Sequence, residues 1–124
     1  MHRFLVACGV VAMLAFPALA SAQDAHGPSK KADFHLSAAL VIGTTTLQPG
    51  DYRFQCLFID GGHYMIVKSV DDGKEVARVP CTPENIVRKN DMSEFRSISR
   101  ADGSRELSAV RFKGEMISHR VASS

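Results

Sequence analysis

Apolar and polar positions alternate in short segments that recur every eight to fifteen residues from Asp33 to the C-terminus. A period of two puts successive side chains on opposite faces of a strand, so the pattern predicts β-structure. Phe34, Leu36, Ala38, Leu40 and Ile42 stand at alternate positions and predict a first strand over 34–42. The β-branched run Thr44-Thr45-Thr46 favours extended backbone. Tyr52, Phe54, Cys56 and Phe58 share the next stripe, with Arg53 and Gln55 facing away. This is the clearest inward face in the chain. Further strands are predicted over 64–70, 75–81, 94–100, 106–113 and 115–121. The expected core is Tyr52, Phe54 and Phe58 with Leu36, Leu40, Val67, Val79, Val110 and Phe112.

Turn chemistry separates these segments. Pro49 presets φ in Gln48-Pro49-Gly50-Asp51, and Gly50 supplies the positive φ of a type II turn. Asp60-Gly61-Gly62-His63 predicts a hairpin, and Asp71-Asp72-Gly73-Lys74 and Asp102-Gly103 predict two more turns. Thr82-Pro83-Glu84 has the order of an N-cap, a proline at the first helical position and an acid in the first turn. One or two helical turns are expected there, ending by Asn90-Asp91.

The fold expected from this pattern is all-β: six to eight antiparallel strands in a small sandwich or barrel. The cysteines bear on the choice. Cys8 lies in the N-terminal apolar run, which leaves Cys56 and Cys81, an even pair. In an oxidising compartment a Cys56–Cys81 disulfide is the expectation, and it would stabilise the fold by roughly 3 kcal/mol. A flat meander would hold the two cysteines about 9–10 Å apart laterally, whereas a disulfide needs Cα atoms within about 7 Å. The sheet must therefore bend, or the chain must change sheet at Cys81. Pro80 and Pro83 flank that point and fit a strand ending there.

The N-terminus predicts export. Met1-His2-Arg3 is a short basic start, Phe4 to Phe16 is apolar with Gly9 within it, and Pro17 ends the run. Ala20 and Ala22 supply the small residues of a cleavage site, placed after Ala22. The run is too short to span a membrane, and no second apolar run follows. Residues 1–22 are thus read as a signal peptide, 23–33 as a flexible polar linker and 34–124 as one β-rich domain. The expected location is the periplasm or the cell exterior.

Leu47-Gln48-Pro49-Gly50-Asp51-Tyr52-Arg53-Phe54 resembles the L-x-P-G-x-Y-x-F segment of small exported bacterial β-domain proteins, many of them acidobacterial. The resemblance covers mainly residues 40–79. It implies a secreted β-domain and carries over no functional residue.

Charge changes the picture little. The chain has 15 basic and 13 acidic side chains, too even a balance for bulk nucleic-acid binding. Residues 88–124 are the basic part, with eight cations against five anions. The 102–103 hairpin is expected to pair Arg100 with Arg105, Ile98 with Leu107 and Arg96 with Ala109. Arg96, Arg100, Arg105, Arg111 and Lys113 would then form one basic face, able to meet an anionic envelope polymer or another envelope protein.

Candidate chemistry is sparse. No nucleophile elbow, phosphate loop or C-x-x-C pair is present. No catalytic residue and no cofactor is expected, and the leading reading is a non-enzymatic exported domain with a binding or structural role. The alternative is a copper-type metal-binding protein. His63 and Met65 share a strand face, and imidazole with sulfur suits copper, so these two, with the cysteines, are the candidate ligands. The tight Cys-His-Met loop of a blue-copper site is absent.

Overall fold

In the computed structural model, which describes residues 30–122, these residues form nine strands. They are β1 (Lys31–Leu36), β2 (Leu40–Ile42), β3 (Thr45–Leu47), β4 (Gly50–Ile59), β5 (Gly62–Ser69), β6 (Glu75–Asn85), β7 (Glu94–Ser99), β8 (Arg105–Arg111) and β9 (Ile117–Val121). No helix occurs among the described residues. The expected signal peptide lies outside them, as does the linker up to Ser29.

Hydrogen bonding runs through one open sheet in the order β1-β4-β5-β6-β9-β8-β2-β3, with β7 added on β8. Every pairing is antiparallel except the bridge between β2 and β8 at Val41 and Glu106. The all-β expectation is met, but the strands form one open sheet rather than the expected small sandwich or barrel. The strand count exceeds the expected six to eight because the first predicted strand breaks at Ser37-Ala38-Ala39 and the threonine run forms β3. Ala38, expected inward, is exposed at that break. β1 begins at Lys31, three residues before the predicted start.

The sheet curls so that its distant parts share a core. The Phe34 ring on β1 meets Phe95 on β7 at 5.3 Å between centroids, and Phe95 stacks on Phe54 of β4 at 6.1 Å. Phe54, Met65, Val67, Val110 and Phe112 are at most 1% exposed. Leu36, Leu40, Val67, Val79, Val110 and Phe112 are buried as expected. Tyr52 is half-buried, and its hydroxyl donates to the Gln48 carbonyl at 2.8 Å; Gly50 opens β4 at φ 156°, not in the type II turn expected there, which needs φ near +80°. Phe58 corrects the expectation: it has the inward parity of Phe54 and Cys56 but is 41% exposed. It stands at the hairpin end of β4, where its ring packs edge-on against His63.

That hairpin is as tight as predicted. Ile59 pairs with Gly62 around Asp60 and Gly61, at φ 48° and 82°. Two successive positive φ values make a type I′ turn, the twist that β-hairpins prefer.

β6 determines where functional groups meet. Residues Glu75 to Pro80 pair with β5, and Cys81 to Asn85 pair with β9. The handover falls between Pro80 and Cys81, as the flanking prolines suggested. The helical turns expected after Thr82 are absent. Backbone groups of Cys81 to Asn85 find their partners on β9, and Glu84 binds Arg120 at 2.8 Å, so extended pairing overrides the local capping signal.

Candidate metal centre

Cys56 opposes Met65 on β5, and Met65 opposes Val79 on β6. These residues share the inner face, as does Cys81 two positions beyond Val79. On β9, Val121 opposes Cys81 and His119 opposes Pro83. His119 therefore sits on the same face, diagonal to Cys81. The bend at the β6 handover brings β4, β6 and β9 together there. The two sulfurs are 3.5 Å apart, and one ligand atom each from Cys56, Cys81 and His119 lies within 4.8 Å of the other two. Cys81 and His119 are buried, while Cys56 is half-buried and forms the open side.

His119 is oriented for ligation. Its Nε2 is 2.9 Å from Glu115 Oε1, and the Phe112 ring packs edge-on against the imidazole at 5.3 Å. In the neutral ring the carboxylate holds the proton on Nε2, and Nδ1 carries the lone pair. Nδ1 is buried without a hydrogen-bond partner. A carboxylate behind one nitrogen and a free second nitrogen is the usual support of a metal-binding histidine.

Electrostatics split the two thiols. The hydrogen bond from Cys81 brings Cys56 down to about 4, against the opposing effect of burial, with His119 and then His63 assisting. Cys81 is pushed up, first by donating to Cys56, then by burial and by the neighbouring negative charge. Burial opposes protonation of His119, but Cys56 and Glu115 outweigh it and raise its pKa. The cluster thus favours a thiolate at Cys56 without any bound ion.

The expected Cys56–Cys81 disulfide is not formed in this structure: both cysteines are free, with the sulfurs well beyond the bonding distance of about 2.05 Å. Their separation is close to the roughly 3.8 Å between two thiolates on a tetrahedral ion with bonds of about 2.3 Å. Of the two other candidate ligands, His63 lies at the rim. Its Nδ1 is 4.0 Å from Cys56 Sγ, within reach of an ion held there after a small ring movement. Met65 is fully buried and packs in the apolar core.

The five basic residues are spread along β7 and β8 and beyond their ends. Arg96 pairs with Ala109 as expected, but a bulge between Arg96 and Ser97 sets Ser97 against Leu107, and Ile98 against Glu106. The expected Ile98–Leu107 pairing is off by one for that reason, and Arg105 opposes Ser99 rather than Arg100. Arg96 binds Glu94 at 3.1 Å, and Arg105 donates to Ser97 and Ser99. Arg100 and Lys113 are exposed just outside the strands. Arg111 is half-buried and lines a cavity of about 600 Å³ under the 85–92 loop, which shares no residue with the thiol cluster.

His119 and Glu115 escaped sequence reasoning. The available signal was His119 alternating with Ile117 and Val121 on an otherwise apolar strand face, with an acid four residues before it. Compared with known proteins, the chain matches no family model, no curated protein and no solved structure.

Proposed function

We propose that this chain is an exported, non-enzymatic β-domain that binds a soft closed-shell metal ion, Cu(I) or Zn(II), through Cys56, Cys81 and His119. The observation that supports this best is the buried, unpartnered Nδ1 of His119 converging with two thiols. A buried polar atom without a partner costs roughly 1–3 kcal/mol, which ligation would remove. Thiolate and imidazole donors suit Cu(I) and Zn(II) rather than hard cations such as Mg(II) or Ca(II). Three donors complete a trigonal Cu(I) site, whereas Zn(II) takes four. His63 is the fourth donor in range. The signal-type N-terminus supports a role in the envelope, where the fold would hold or deliver the ion.

The test is titration of the reduced full chain with Cu(I) and, separately, with Zn(II). One equivalent of each should bind, and Cys56→Ser, Cys81→Ser or His119→Ala should remove that binding. His63→Ala should weaken Zn(II) more than Cu(I). Equal binding by the wild type and the His119→Ala variant would contradict the assignment.

A further inference from the structure

We propose that Cys56 and Cys81 form a redox gate on this site: their oxidation to a disulfide expels the ion, and reduction restores the site. The expulsion rests on the metal reading above, whereas the bridge itself rests on the placement of the sulfurs alone.

The two sulfurs are already in contact at 3.5 Å, on strands that converge at the β6 handover. Closing the remaining distance of about 1.5 Å needs side-chain rotation and a small backbone adjustment. The accessibilities are unequal in a useful way. Cys56 is half-buried at the open side, so a small molecule can reach it, whereas Cys81 is 7% exposed, with its sulfur 3.5 Å from that of Cys56. Attack from outside therefore falls on Cys56, and the second step falls to Cys81.

A small-molecule disulfide is the oxidant. The Cys56 thiolate attacks one of its sulfurs, the reagent's S–S bond breaks, and one thiolate leaves. Cys81 gives up its proton and attacks Cys56 Sγ, which forms the protein disulfide and releases the second thiolate. The protein dithiol loses two electrons and the reagent disulfide gains them. Neither bridged sulfur is then an anionic donor, and the imidazoles of His119 and His63 without the thiolates cannot hold the ion. A bound ion in turn occupies both sulfurs, so metal and bridge exclude one another.

The experiment treats the zinc-loaded full chain with oxidised glutathione. Released zinc is followed with a chromogenic chelator, and thiols by alkylation and mass spectrometry. The proposal expects an intramolecular Cys56–Cys81 bridge to appear on the same time course as the loss of all bound zinc, with recovery after reduction. Chelator-treated wild type and the His119→Ala variant should form the same bridge without metal. If they do so while the wild type never binds zinc or Cu(I), the metal reading fails and the bridge survives. If the metal-free wild type yields only mixed glutathione adducts or dimers, with Cys81 still alkylated, the gate is overturned. Zinc retained by a fully bridged protein overturns it equally.

Discussion

The two nitrogens of His119 do different work. Nε2 is held by Glu115, and Nδ1 is left for the thiols. Glu115→Gln keeps the shape but weakens the acceptor, so metal affinity should fall about 10- to 100-fold, measured by competition with a chelator. Unchanged affinity would mean that the carboxylate does not orient the ring. Residues of the core behave by burial rather than by parity. Phe54 is fully buried between Phe34 and Phe95, and Phe54→Ala should cost about 3–5 kcal/mol in chemical denaturation. Phe58→Ala should cost less than about 1 kcal/mol, because the side chain remains partly in water. Alternation in the sequence identified the face of both residues. It could not show that Phe58, at the hairpin end of β4, stays partly in water. His119 was hidden for a related reason: its thiol partners come from strands far away in the sequence, and no local pattern marks them.

Among the elements, the tight hairpins were the most legible because their chemistry is local. Gly61 has φ 82°, and nothing lies within 4 Å of where a Cβ would be. Gly61→Ala should therefore destabilise through backbone conformation alone, by about 1–2 kcal/mol, visible as a lower denaturation midpoint at unchanged slope. A neutral substitution would show that the turn relaxes to another type. β6 was half legible. Pro80 and Pro83 marked the change of partner at Cys81, but Thr82-Pro83-Glu84 imitated a helix start. The imitation fails because β9 offers those residues a pairing edge, and that edge is supplied by sequence more than thirty residues later. The bulge at Arg96 was equally invisible, and it shifts the pairing expected from regular alternation.

At the scale of the molecule, the sheet is open, and its curl is held by the aromatic contacts of Phe34, Phe54 and Phe95 and by the convergence of β4, β6 and β9. An ion bridging those three strands ties the two parts of the sheet together. At a hundredfold excess over the dissociation constant, it should stabilise the fold by about 2.7 kcal/mol. For a domain of this size that is a rise of about 10–20 °C in Tm, and His119→Ala should abolish it. Export predicts that the mature chain begins at Gln23, and N-terminal mass analysis of protein recovered from the envelope should find residues 1–22 removed. The metal site is the central claim, and X-ray absorption fine structure at the zinc edge of the reduced, loaded full chain tests it most directly. The site predicts two sulfur neighbours at about 2.3 Å with imidazole nitrogen at about 2.0 Å; a shell of oxygen and nitrogen alone, with no sulfur, would contradict it.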